Sequence, residues 1–408
     1  MDRRNINDIA AHRRRKKTEK VFVVVIVASV GAILLLLLAL NFSNIIAPFE
    51  GCGQKITGGR KPMTEAGFPV RTPGSINSVQ ALEDGFVLLS PTYIYIYNDD
   101  GSQRYARRHN YATPVLSIDG NRILLYDLNG RKYSMYDGEE MLFERTDNDD
   151  RILYGEIGSS GKVAIVYRSN INTNVLSVYG EKGKWQFTKH FTGENVMQVD
   201  FAHGDNDIIV SSIGFDSGNM SVTVRRLDTT SADEEGVWRV NLSDTSGFTT
   251  IAENLLPSAV YVRGERVFVL CDSALFVLDT DDGKIKGLYA FKGALIDYAF
   301  GDDIAAVLVN DFTANKVSLL TLDRDAKLLR SVEIVGGATQ TAIHGGETAV
   351  LGAGVMYFYD NDVEKLGERF VLWEDFTQFV YANDAILLLG YDRVERLALG
   401  DETNEGTR

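Results

Sequence analysis

Residues 114–146 read PVLSIDGNRILLYDLNGRKYSMYDGEEMLFERT. Four short β-prone runs stand between turn residues. Lys132-Tyr133-Ser134-Met135-Tyr136 alternates polar and apolar, as a strand with two different faces does. The same four-run unit returns from Ser258 (SAVYVRG, ERVFVLCD, SALFVLDTDDG, KIKGLYAF). It returns again from Leu295 (LIDYAFGD, DIAAVLVN, KVSLLTLDRD, AKLLRSVEI). No comparable stretch carries helical spacing with a cap, so little helix is expected here.

A marker fixes the period. In each unit an apolar strand ends at an Asp, Asn or Gly corner: Asn98, Asp137, Gly180, Asp228, Asp279, Asp323, Asp360 and Gly400. Successive gaps are 39, 43, 48, 51, 44, 37 and 40 residues, close to the ~40–45 residues of a four-stranded propeller blade. Eight corners predict an all-β, eight-bladed β-propeller over 67–400, with seven blades as the alternative count. The last unit supplies three strands only (TQFVYAN, AILLLGYD, RVERLAL). An open sheet edge is a liability. Gly67-Phe68-Pro69-Val70-Arg71 is a spare strand before the first blade, and it is expected to pair with 393–399 and close the ring. Pro69 has no N–H, which suits an edge position.

Ahead of the repeats, residues 21–40 (VFVVVIVASVGAILLLLLAL) carry no charge. About 20 apolar residues are enough for a helix to cross a bilayer. The tail 1–20 holds eight basic and three acidic side chains, whereas 41–408 holds 34 basic and 53 acidic. Basic residues concentrate on the cytoplasmic side, so the reading is a single-pass signal anchor in membrane lipid. It has a cytoplasmic tail, a Gly-rich linker at 41–66, an extracytoplasmic propeller and a polar tail at 401–408. A cleaved signal peptide fits less well, because the core is too long and no A-x-A site follows. The acidic outer domain would repel nucleic acid. Cys52 and Cys271 are too few for a disulfide scaffold.

The corner Val277-Leu278-Asp279-Thr280-Asp281-Asp282-Gly283-Lys284-Ile285 resembles the repeat of quinoprotein-type (PQQ-repeat, WD40-like) propellers, with weaker echoes at 97–101 and 178–183. The whole layout resembles a group of membrane-anchored propeller proteins of Gram-positive bacteria. Quinoproteins of this shape use pyrroloquinoline quinone, commonly beside adjacent cysteines, with a Trp at the repeat end. This chain has no adjacent cysteines, and Trp185, Trp238 and Trp373 fall out of register. The resemblance therefore implies the architecture and no cofactor.

Chemistry-bearing residues read mostly as turns. His203-Gly204 and His344-Gly345 follow inner strands at a place where other units hold Asp119-Gly120 and Arg263-Gly264. A position that accepts unrelated side chains before Gly is a turn, not a metal site. Asp279-x-Asp281-x-Gly283 lacks the further ligands of a calcium loop. No G-x-S-x-G, H-E-x-x-H or phosphate loop occurs. Paired carboxylates of a glycosidase would leave no local signature. Three longer second-to-third-strand connections, 168–174, 215–219 and 311–315, emerge on one face. They bring Arg168, Asn170, Asn172, Phe215, Asp216, Asp311 and Phe312 there, on a rigid scaffold of the kind that often carries binding loops. The expected function is a non-enzymatic binding or scaffold module for an envelope protein or glycan. The alternative is a carbohydrate-active or redox enzyme in the central funnel, which a buried cluster of carboxylates or histidines there would favour.

Overall fold

The computed structural model describes residues 67–146, 150–216, 219–229, 234–240, 255–335, 337–361, 368–372, 376–383 and 385–398. The tail, the apolar segment 21–40 and the linker lie outside them, as does the corner Gly400. No helix of the described residues is long and apolar enough to cross a membrane.

The described strands form eight four-stranded antiparallel sheets, so the count is eight blades and not seven. In seven of them the strands follow one another in chain order, as in blade 2: Pro114–Asp119, Arg122–Asp127, Lys132–Asp137 and Glu140–Thr146. First strands of neighbouring blades contact one another and so line the centre. The corners at 98, 137, 180, 228, 279, 323 and 360 each end or follow a third strand. Their chemistry explains the residue type. Asp279 accepts the N–H groups of Asp281 (3.0 Å) and Asp282 (3.4 Å), and Asp323 those of Asp325 (2.9 Å) and Lys327 (2.8 Å). A carboxylate there replaces the backbone partner that the turning chain loses.

Second and third strands read as continuous apolar runs because both of their faces are buried. Alternation divides each run between two junctions. Ile123 and Leu125 enter the core shared with blade 1, whereas Leu124 enters the core shared with blade 3. Phe268 and Leu270 face blade 6, and Val267, Val269 and Cys271 face blade 4. The eight hydrophobic clusters each lie between two adjacent blades. Cohesion therefore runs around the ring, with no single central core.

Blade 8 is completed as the sequence predicts. Its order places Val70–Arg71 outside Arg393–Ala398, then Ala385–Leu389 and Gln378–Ala382. Val70 pairs with Val394 and Arg71 with Arg393. The Thr72 N–H donates to Asp392 O at 3.1 Å, and Phe68 joins the blade 8–blade 1 core beside Phe86 at 5.9 Å. Gly67 is held at φ +100°, where a Cβ would lie 1.9 Å from Asp100 O. Only glycine fits that approach. Every described strand of the ring comes from residues 70–398, within the compact unit Gly58–Arg408.

Candidate functional site

Successive strands alternate in direction, so the chain's connections divide between two rims. First-to-second and third-to-fourth turns leave one rim, here called the corner rim. Second-to-third turns and the connections between blades leave the other, here called the loop rim.

The three long connections of the sequence lie at the loop rim, in blades 3, 4 and 6. Blades 3 and 4 are neighbours, and blade 5 separates them from blade 6. Arg168 and Asn170 are exposed. Asn172 is engaged: its amide meets His190 Nδ1 at 2.9 Å and its carbonyl accepts the Thr192 hydroxyl at 3.2 Å. Asp311 accepts the Thr313 N–H (2.9 Å), the Thr313 hydroxyl (2.6 Å) and the Ala314 N–H (3.1 Å). Its carboxylate therefore builds the loop. Those bonds hold it below the usual carboxylate range, with the Thr313 hydroxyl the largest cause. In blade 4 the connection is shorter than the sequence suggested. Asp207–Asp216 and Asn219–Asp228 stay paired as far as Asp216 and Asn219, so the extra residues lengthen a hairpin; the Asp216 side chain lies outside the described residues. Phe215 and Phe312 are 72 % and 74 % exposed.

The sequence reading missed companions of these two phenylalanines. Ile171 tips the blade 3 loop, Tyr391 the second-to-third turn of blade 8, and Val335 the connection from blade 6 to blade 7; these are 92 %, 79 % and 60 % exposed. For Ile171 and Tyr391 the signal was a lone apolar residue inside a polar connection.

The central channel is the second candidate. At its corner-rim end a cavity of about 480 Å³ is lined by Asp119, Ser159, Asp200, His203, Tyr261 and Arg263, among others. Deeper in, Glu156 receives the Ser117 hydroxyl at 3.0 Å and the Tyr154 hydroxyl at 2.6 Å. Burial pushes the Glu156 carboxyl up to about 7. It pushes that of Asp200 up to about 8, and the neighbouring Glu156 charge adds to the latter. Burial also raises Asp119 and Asp297. Carboxylates do gather in the funnel, the feature that would favour an enzyme.

Most of these groups have a structural task. Inner strands of neighbouring blades are not joined by a ladder, so their edge N–H groups need other partners. Asp200 of blade 4 accepts the Val262 N–H of blade 5 at 2.7 Å, and Asp297 of blade 6 accepts the Thr341 N–H of blade 7 at 2.7 Å. Ser117 of blade 2 accepts from Ile157 of blade 3 at 3.1 Å. Gln340 grips Phe379 through both N–H (2.7 Å) and C=O (2.9 Å), and Gln378 grips Val79 the same way at 3.2 Å. Five of the eight junctions are thus stitched by an inner-strand side chain. At the junction of blades 5 and 6, Tyr261 stacks on Phe300 at 5.1 Å.

Of the two histidines singled out in the sequence, His203 lies in the turn itself and His344 ends the first strand of blade 7. His203 sits at φ 52°, with Nδ1 2.5 Å from buried Asp207, which also binds Arg226 at 3.0 Å. His344 stacks on Tyr381 at 4.8 Å. Gly120, Gly264 and Gly345, at the equivalent turns, have φ near +54 to +60°. No group of side chains among the described residues could hold a metal ion.

A family model described as "Family of unknown function (DUF5711)" matches residues 70–369. No curated protein matches the chain. Among solved structures, BamB from Moraxella catarrhalis aligns with a TM-score of 0.55 at 15 % identity, over 80 % of this chain and 99 % of that one. Sqt1 from Saccharomyces cerevisiae gives 0.59 at 9 % identity, over 82 % and 100 %. The C-terminal WD40 domain of Sif2 gives 0.58 at 13 %, over 83 % and 100 %. Identities this low show the fold, a WD40-like and BamB-like propeller, and nothing of the activity.

Proposed function

The chain belongs to DUF5711, a family of unknown function, and we propose that it is a membrane-anchored, extracytoplasmic, non-enzymatic docking module of the cell envelope. The apolar segment 21–40 supports the anchor, and the basic tail against the acidic remainder supports the orientation. The observation that carries the docking role is the loop rim. A rigid ring holds Ile171, Phe215, Phe312, Val335 and Tyr391 out in water on one rim, and loops carried by a rigid scaffold are where binding residues concentrate. The expected partner is an envelope protein or glycan. The neighbours' names, a BamB and WD40 domains, are compatible with an assembly role. The resemblance to propeller proteins of Gram-positive bacteria supports the same setting.

A second reading places an enzyme in the funnel, and the raised carboxyls of Glu156 and Asp200 favour it. Their engagement in hydrogen bonds within and between blades weighs against it.

Protease added to intact cells should degrade the propeller and spare the tail; survival of the propeller refutes the topology. A photo-crosslinker at position 312 should capture an envelope component that one at Glu265, on the corner rim, does not. Identical capture from both positions refutes the docking face.

A further inference from the structure

Nine large apolar side chains are exposed among the described residues, and seven of them stand at the loop rim: Tyr93, Ile171, Phe215, Leu256, Phe312, Val335 and Tyr391. The other two, Trp185 and Ile285, begin outermost strands next to the corner rim. The five most exposed at the loop rim are solitary tips in blades 3, 4, 6 and 8 and in the connection between blades 6 and 7. A ring of separate tips on a rigid frame has the shape to meet a flat surface.

Charge on that rim is uneven. Arg108, Arg131, Lys132, Arg168 and Lys292 are exposed there and have no acidic partner within 4 Å among the described residues. Six described acids of the same rim are engaged. Asp392 pairs with Arg71, Glu333 with Lys316 and Glu194 with Arg225. Asp127 takes the Thr113 N–H, Asp272 the Leu256 N–H and Asp311 the Thr313 N–H. The corner rim also exposes both signs: Glu139, Asp281, Asp302 and Asp303 there pair with Arg104, Arg226, Arg263 and Arg324. The first three strands of each blade, five to ten residues long, separate the rims by roughly 17–33 Å at ~3.3 Å per residue. That is two or more Debye lengths of about 8 Å at physiological salt. A charged plane at the loop rim therefore feels the bases of that rim far more than the charges of the far side, although the whole chain is at −14.

We propose that the loop rim seats on an anionic lipid bilayer, with its apolar tips in the headgroup–acyl boundary and its free basic side chains on lipid phosphates. This rests on the reading of that rim as the docking face and names lipid, in place of a protein or glycan, as the occupant. Bulky apolar and aromatic groups favour that boundary, and basic groups near an anionic leaflet add attraction that salt weakens.

The test uses the Gly58–Arg408 unit, whose ring closes within itself, with vesicles of phosphatidylcholine alone or mixed with phosphatidylglycerol. Co-sedimentation should be strong with the mixed vesicles, weak with phosphatidylcholine alone, and reduced by salt. Phe312→Ser and Tyr391→Ser should each lower the partition coefficient about tenfold, and Arg168→Glu or Lys292→Glu several-fold, with unchanged melting temperatures. Trp185→Ser should bind as the parent does. No sedimentation with the anionic vesicles at low salt, or binding indifferent to the tip substitutions, overturns the proposal. If vesicles fail while the crosslinker at 312 captures a polypeptide, the docking face stands and the lipid assignment falls.

Discussion

Asp200 sets a pH dependence that its own amide should erase. The carboxyl lies in the channel, accepts the Val262 N–H at 2.7 Å, and is pushed up to about 8 by burial and by Glu156. An unfolded chain releases this proton near 3.8. Between those values the native state holds a proton that the unfolded state has lost. Unfolding free energy therefore falls as pH rises, by up to about 1.4 kcal/mol per pH unit for this group. The contribution is whole below about 3.8 and gone above about 8. Complete desolvation over that interval would amount to about 6 kcal/mol. The side chain keeps one side open to the channel, so its charged form is partly hydrated, and about 1–3 kcal/mol is the expected size. Asp200→Asn keeps an acceptor for Val262 and cannot ionise. Urea denaturation of the Gly58–Arg408 unit from pH 4 to 8 should give nearly parental stability at pH 4, a gain of about 1–3 kcal/mol at pH 8, and a flatter curve between. A loss of equal size at every pH would mean that only the hydrogen bond mattered. A gain confined to pH 4 would reverse the sign and refute the reasoning.

Gly67→Ala should lower stability by more than about 2 kcal/mol, since the new Cβ meets Asp100 O in a left-handed backbone; an unchanged urea midpoint would contradict this. Gln378→Ala leaves the Val79 N–H and C=O without their side-chain partners and should cost about 1–3 kcal/mol in the same assay. Cys271 is fully buried, and its thiol is pushed well above the usual range by that burial. A maleimide should modify it only after denaturation, and rapid labelling of the native protein would show that the blade 4–blade 5 core opens.

Blade number and ring closure were legible because each rests on local chemistry. An Asp at a third-strand corner caps its own turn, as Asp279 and Asp323 do, so the corners recur at the spacing of the structure. Pro69 and the missing fourth strand of the last unit pointed to the same pairing that Val70 and Val394 make. The channel was not legible. Glu156 and Asp200 look like any polar residue on an alternating strand. Their environment comes from strands tens of residues away, as Ser117 on Glu156 and Val262 on Asp200 show. The loop rim was half visible: connection length flagged Phe215 and Phe312. Length also proposed Asn172, whose amide is taken up by His190 and Thr192, and Asp311, whose carboxylate builds its own loop, and it passed over Tyr391 in a short turn.

Arg71 and Asp392 meet across 321 residues of chain. The edge that seals blade 8 is thus made early in synthesis and its partner almost last. At about 5–20 residues per second, on the order of 15–60 s separate the two. Throughout that time blade 1 shows the ribosome's surroundings a greasy flank including Val79, Phe86 and Leu88, which Leu387 and Leu389 will later cover. A nascent chain stalled before Ala385 lacks those leucines and leaves that flank bare, a form that quality-control factors can recognise and the finished circle cannot resemble.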